Sequence, residues 1–152
     1  MKNDQINRNW HLIDAKRKVL GRLASEAAYL LMGKNKSSYV PYLDSGDYVV
    51  VINAKDVVLS GKKEFHKKYY HHSHFPGGLK IKTAAQIREE NPQKLIRNAI
   101  TGMMPKTKLG KMMLKNLFVY SDNNYPYASK FIATVSTTPQ QLKHTSLKVA
   151  RK

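Results

Sequence analysis

The segment between residues 61 and 82 holds the chain's densest group of side chains that can act on a ligand. It reads GKKEFHKKYYHHSHFPGGLKIK and contains six lysines, four histidines, four aromatic residues and a single acid, Glu64. Lysines neutralise phosphates, tyrosine and imidazole rings stack on unpaired bases, and Gly77 and Gly78 after Pro76 let backbone approach a ligand closely. This composition predicts binding of nucleic acid.

The charge of the whole chain points to the same class of partner. Among 152 residues, 27 are Lys or Arg and 10 are Asp or Glu, which gives a formal net charge of +17. The excess is greatest between residues 61 and 116. A surface that serves only solubility usually mixes both signs, so this large one-sided excess indicates a polyanionic partner.

The histidines of the segment also raise the question of a metal site, because imidazole is a common ligand of zinc, copper and nickel. A dication would lie among four lysines with only Glu64 nearby to offset them. The chain has no cysteine, which excludes disulfides and thiolate zinc sites. It also lacks a GxGxxG or a phosphate-loop motif. We therefore expect no metal, no cofactor and no small-molecule substrate. The histidines concerned are His66, His71, His72 and His74.

Few residues suit catalysis. Asp44 and Asp47 flank a Ser-Gly pair, which is more simply a turn that enters a strand. The sequence predicts that the chain is not an enzyme. Two alternatives stay open: a nucleic-acid-processing enzyme that uses the cluster of His71, His72 and His74, and a free RNA-binding regulator.

The first fifty residues have the pattern of a βαβ unit. Residues 10–14 read as a short strand, and residues 48–52 form an uninterrupted apolar run typical of a strand covered on both faces. Between them, apolar residues recur at helical spacing and Gly33 follows as a helix-ending residue. The crossover should be right-handed. The apolar positions are Leu20, Leu23, Ala24, Ala27, Leu30 and Leu31.

The rest of the domain alternates strands and helices. Residues 57–59 are predicted as a further strand, after which the basic segment leaves the sheet as a long excursion. Thr83 and Gln86 match a capping box, which predicts a short helix up to about Glu90. The Asn91-Pro92 pair predicts the start of another helix, ended by Gly102 and Pro105.

A basic loop at residues 106–110, a helical turn at 112–114 and a last strand at 117–120 complete the domain. We expect one α/β domain over residues 1–128, followed by a basic extended tail over 129–152. The alternative for the tail is an edge strand from Phe131 to Val135. The amino-terminal residues lack the apolar core of a signal sequence, and no apolar run is long enough for a bilayer, so we expect no membrane association and a cytoplasmic location.

Several ordered segments between Trp10 and Tyr120 resemble the bacterial-type large-subunit ribosomal protein L13 family. Each segment alone is weak, but the ordered set is specific. The matching segments are residues 10–15, 20–24, 33–34, 44–54, 68–73, 76–78, 102–106 and 109–110.

This resemblance implies an α/β/α three-layer sandwich around a mostly parallel four-stranded sheet, with basic loop excursions. It also implies a structural place in the large subunit of the cytoplasmic ribosome, direct binding to large-subunit rRNA, neighbouring ribosomal proteins as partners, and a role in early subunit assembly. His74 departs from the family, which usually has glycine at this position.

The RNA-facing positions implied by the resemblance lie in three regions, and the basic segment adds Lys62, Lys63 and His74 to them. The predicted RNA-binding residues are Lys34, Lys36, Lys62, Lys63, Lys67, Lys68, Tyr69, Tyr70, His71, His72, His74, Gly77, Gly78, Lys106, Lys108 and Lys111.

Overall fold

The structure of the protein, a computed structural model, describes residues 7–127 and 130–131. Within them the strands are β1 (Trp10–Asp14), β2 (Tyr48–Ile52), β3 (Lys68–His72), β4 (Leu79–Thr83) and β5 (Leu117–Val119). The helices are α1 (Leu20–Leu31), α2 (Lys63–His66), α3 (Ala84–Glu90), α4 (Pro92–Met103) and α5 (Lys108–Met113), with single 3₁₀ turns at Ala54–Asp56 and Leu114–Asn116. No helix in this part of the chain is long and apolar enough to cross a membrane.

The main sheet is parallel, with β2 between β1 and β5. The apolar run of β2 is buried from Val49 to Ile52, as its lack of polar alternation predicts. The fold is therefore mixed α/β with a parallel sheet. In the described residues this sheet has three strands, so the expected four-stranded, three-layer sandwich is not confirmed.

The strand expected at residues 57–59 is reduced to one bridge, between Val19 and Val58. Val58 N–H donates to the Lys18 carbonyl, and Leu20 N–H donates to the Val58 carbonyl, each over 2.9 Å. The pairing stops there because its partner segment enters α1 at Leu20.

The basic segment leaves the main sheet as the sequence predicts, but as a hairpin and not as a loop. It folds into α2 and an antiparallel hairpin in which β3 pairs with β4 over five residues. We call residues 62–83 the basic hairpin.

The apolar sides of α1 and α4 form one core with one face of the sheet. Val49 and Val51 of β2 pack in the same cluster as Leu23, Leu95 and Ile100. The helix starts agree with their sequence signals. Both hydrogen bonds of the predicted capping box at the start of α3 are present, and the amide oxygen of the residue before Pro92 caps α4.

The opposite face of the sheet carries a cluster of aromatic rings centred on Trp10. Its indole stacks on Tyr48 with 4.5 Å between ring centroids and lies 5.9 Å from Phe118. Tyr127 and Phe131 complete the cluster at 5.0 and 6.1 Å from Trp10. Phe131 lies in a helical turn, and residues 132–135 of the alternative edge strand lie outside the described residues, as does most of the predicted tail.

Candidate nucleic-acid interface

The basic hairpin is fixed to the domain at its base. Glu64 of α2 forms an ion pair with Arg88 of α3 over 2.6 Å, and the same guanidinium donates to the Val57 carbonyl over 2.9 Å. Ala84 N–H donates to the Lys67 carbonyl over 3.0 Å. The only acid of the segment is thus neutralised internally, so that its carboxylate does not offset the lysines on the surface.

The two faces of the hairpin differ in chemistry. Side chains alternate along a strand, so cross-strand partners share a face. Tyr69 pairs with Lys82 and His71 pairs with Lys80, and these four residues border a groove against α3 and α4. The outer face carries the pairs of residues 70 with 81 and 72 with 79, whose apolar side chains are exposed.

The geometry of the hairpin turn explains why positions 77 and 78 are glycines. Ser73 N–H donates to the Gly78 carbonyl, and Gly77 has a positive φ of 71°. A Cβ atom on Gly78 would collide with the Ser73 hydroxyl and the Phe75 carbonyl. His74 has a φ of 67°, a left-handed conformation that glycine adopts most easily. The histidine therefore keeps the backbone conformation that a glycine would favour there.

The two lysines predicted after α1 have different surroundings. Lys34 is exposed. Lys36 is half-buried, and its ammonium group donates to the Asn7 carbonyl over 2.7 Å and the Ser45 carbonyl over 2.9 Å while pairing with Asp47. Its three donors are all used inside the protein, which gives it a structural role.

Asp47 is the most buried charge of the described residues, with a fully enclosed side chain. It receives hydrogen bonds from the His11 ring and from the Asn9 backbone N–H, each over 2.9 Å, and from the Asn35 side-chain amide over 3.3 Å. Burial raises the pKa of Asp47, but these bonds and Lys36 outweigh burial and hold the pKa well below its usual value. The network fixes the loop after α1 to the start of β2.

The end of α4, from which the basic loop leaves, lies next to the hairpin base. Lys63 and Lys67 border the same surface groove as Gly102 and Met103, the last residues of α4. Lys106 of this loop is exposed, as are Lys108 and Lys111 of α5, which replaces part of the loop predicted at residues 106–110.

The groove bordered by Lys63 and Lys67 also includes Leu20 and Gly21, at the first turn of α1. Lys34, in contrast, follows the last turn of this helix. A helix of 12 residues is about 18 Å long. The structure therefore groups the hairpin lysines with the loop before α5 and leaves Lys34 apart from them.

Several polar residues around the groove between the basic hairpin and helices α3 and α4 were not predicted from the sequence. They are Lys80, Lys82, Lys94, Asn91 and Asn98. A usable signal was the alternation of apolar residues and lysines over residues 79–82, directly after the Pro-Gly-Gly turn.

The histidines of the basic segment do not all share one face of the hairpin. His71 and His72 are adjacent on β3, so their side chains project to opposite faces. His72 Nδ1 accepts from the His74 backbone N–H over 2.9 Å. Among the described residues no three His, Asp or Glu side chains are placed to hold a metal ion.

Comparisons with known proteins agree on one family. Residues 8–126 match the family described as ribosomal protein L13. Three curated relatives are each named large ribosomal subunit protein uL13. That of Dictyoglomus thermophilum is 50% identical over 129 residues, which cover 85% of this chain and 91% of the relative. That of Halorhodospira halophila is 50% identical over 121 residues, covering 80% and 85%. That of Staphylococcus aureus strain JH9 is 50% identical over 125 residues, covering 82% and 86%.

Proposed function

The chain belongs to the ribosomal protein L13 family, and on this basis we propose that it is a structural constituent of the large ribosomal subunit. It binds large-subunit rRNA directly, contacts neighbouring ribosomal proteins, supports early subunit assembly and resides in the cytoplasmic ribosome. One observation carries this proposal: relatives named large ribosomal subunit protein uL13 are 50% identical over at least 80% of the chain.

The charge of the described surface supports the RNA-binding part of the proposal. Lys62, Lys63, Lys67 and Lys68 are exposed on the basic hairpin, close to the end of α4 from which the basic loop leaves. A packed sheet and helices thus hold several cationic projections at fixed spacing. Such a scaffold suits RNA recognised by shape and by a few unpaired bases, with lysines on the phosphates.

The proposed RNA surface follows the sequence prediction with one change. Lys36 is left out because its ammonium group is used inside the protein. The remaining positions are Lys34, Lys62, Lys63, Lys67, Lys68, Tyr69, Tyr70, His71, His72, His74, Gly77, Gly78, Lys106, Lys108 and Lys111. We also propose one domain over residues 1–128 followed by a basic tail over residues 129–152, of which Lys130 and Phe131 still pack against Trp10 of the domain.

A catalytic role has little support. Ribosomal proteins of this kind are structural, and the side chains of His71 and His72 diverge from each other. We propose that these histidines contact RNA through hydrogen bonds and stacking.

Sucrose-gradient sedimentation of a cell extract tests the proposal. The protein should sediment with the large subunit and stay there after a high-salt wash, since an integral component is held by many contacts. A free regulator would sediment at the top of the gradient or dissociate in high salt, and that result would contradict the proposal.

A further inference from the structure

We propose that the groove between the basic hairpin and α4 holds one unpaired nucleotide of an RNA strand. This inference rests on the proposed RNA-binding function and assigns it a specific site. We call the groove the hairpin groove. It is bordered by Tyr69, His71 and Lys80 on the hairpin, and by Glu90, Lys94 and Asn98 on the helical side.

The size of the groove suits one nucleotide. Its volume is about 410 Å³, within the range of about 300–1,000 Å³ that is usual for small-ligand sites. Its walls are two rigid elements, because β3 and β4 pair along their full length and α4 is packed into the core.

Two lysines are free to bind a phosphate. Lys80 of β4 and Lys94 of α4 border the groove from opposite sides and are exposed. Their ammonium groups have no hydrogen-bond or ion-pair partner among the described residues. Lys82 is different, since its ammonium group is held by Glu90 with 2.7 Å to one carboxylate oxygen. We therefore assign the phosphate to Lys80 and Lys94.

The groove also contains polar groups that can bind the edge of a base. The hydroxyl of Tyr69 is buried and has no hydrogen-bond partner. Asn98 makes no side-chain hydrogen bond with the described residues, and Asn91 uses its amide oxygen to cap α4, which leaves its amide hydrogens available. Buried polar groups are normally satisfied, so this unpaired hydroxyl, on a residue that borders the groove, suggests a ligand that supplies the missing partner.

The groove also offers aromatic rings on which an unpaired base can stack. His71 is exposed at the groove and offers a flat ring for stacking, and Tyr69 lies beside it with Lys67 over its ring at 5.3 Å from the centroid. An acidic peptide would use the lysines but not the flat rings or the free side-chain amides of Asn91 and Asn98. Cations, rings and amides together favour a nucleotide.

Photochemical cross-linking would identify the residues that contact the nucleotide. Large subunits that contain the protein are irradiated with short-wavelength ultraviolet light, digested with protease and nuclease, and searched by mass spectrometry. We expect a single-nucleotide adduct on Tyr69 or His71. Adducts found only on the loop around Lys106 and Lys108 would overturn the hairpin-groove proposal while leaving RNA binding intact. Failure of the chain to sediment with the subunit would instead contradict the proposed function.

Binding measurements with the full chain test the lysines. The probe is a fluorescent single-stranded RNA of mixed sequence, about 12 nucleotides long, which is within the usual span of one single-strand binding site. The variant Lys80→Gln/Lys94→Gln should bind about tenfold more weakly, and its salt dependence should fall by about 0.7 for each phosphate that a lysine no longer neutralises. The control Lys16→Gln/Lys115→Gln removes the same charge from exposed positions outside the groove.

The two double variants should differ if the groove binds the nucleotide. Weaker binding confined to the groove variant supports the site, whereas equal weakening in both would show a general charge effect and overturn it. His71→Ala, an exposed change that spares the core, should also weaken RNA binding by about fivefold or more, as expected when a stacking ring is removed. Competition by poly-glutamate as effective as that by RNA of equal length would overturn the choice of a nucleotide.

Discussion

The carboxylate of Asp47 pairs with the ammonium group of Lys36 away from solvent. The side chain of Asp47 is fully enclosed, and that of Lys36 is 15% exposed. The pair joins the loop after α1 to the start of β2, and therefore connects the helical layer to the central strand. A lysine that the sequence assigns to RNA is thus part of the protein's own framework.

Substitution of Asp47 by Asn should strongly destabilise the fold. Lys36 would lose its charged partner, and the new amide group would face donors that need an acceptor. We expect the free energy of unfolding to fall by about 3–5 kcal/mol, measured by urea denaturation. Asp122→Asn is the control, since Asp122 pairs with Lys55 at the surface and should change stability by no more than about 1 kcal/mol. Equal losses of unfolding free energy in the two variants would show that the buried pair stabilises the fold no more than the surface pair does.

The same carboxylate makes stability depend on pH in the acid range. The pKa of Asp47 is lowered in the folded state from the ordinary value of 3.8, so its contribution is complete above that value. As the pH falls from about 4 towards 2, the unfolded chain takes up the proton first and the contribution is lost. The urea midpoint of the wild type should therefore decline more steeply over this interval than that of Asp47→Asn. Parallel curves would contradict the assignment.

Gly110 has no room for a side chain. A Cβ atom there would collide with the backbone carbonyl of Pro105, across the turn that carries Lys106 and enters α5 at Lys108. Gly110→Ala should cost about 1–3 kcal/mol by forcing the backbone apart, measured by thermal unfolding. Gly102→Ala is the matched control, because a Cβ atom in α4 at Gly102 meets open space. It should be neutral or stabilising by up to about 1 kcal/mol. A stable Gly110→Ala protein would show that the loop can be rearranged.

Neutralising lysines of the hairpin base and the basic loop should weaken RNA binding and its dependence on salt. The change is Lys67, Lys68, Lys106 and Lys108 to Gln, which removes exposed charges. Each phosphate that is no longer neutralised lowers the slope of log affinity against log salt by about 0.7 to 0.9, measured by titration of an rRNA fragment at several salt concentrations. The control changes an equal number of exposed lysines elsewhere: Lys16, Lys18, Lys55 and Lys115. An unchanged slope in the first variant would remove both regions from the contact surface.

Much of the fold was predictable because its signals are local. The strand at residues 48–52 has an unbroken β-branched run, and the capping box of Thr83 and Gln86 specifies a helix start within a single turn. The hairpin was not predicted, although only the turn at residues 73–78 separates its two strands. The alternation of apolar residues and lysines over residues 79–82 was a usable signal, but the density of charge in the segment favoured an excursion without regular structure.

The site was only partly predictable for a similar reason. The basic segment shows its charge in the sequence, whereas the fate of one ammonium group depends on tertiary contacts. Lys34 and Lys36 look equivalent in the sequence, yet one is exposed and the other is held by Asp47, which follows at the end of the loop. Asn98 and Lys94 border the hairpin groove only because α4 packs beside the hairpin, and no residue spacing in the sequence predicts that contact.

A density map of the assembled large subunit, obtained by electron cryomicroscopy, tests the central claim most directly. The account predicts that the basic hairpin lies against rRNA, with lysines near phosphates and a nucleotide inserted beside His71. A hairpin that projects into solvent or is covered entirely by another protein, with no RNA within contact distance, would contradict the account.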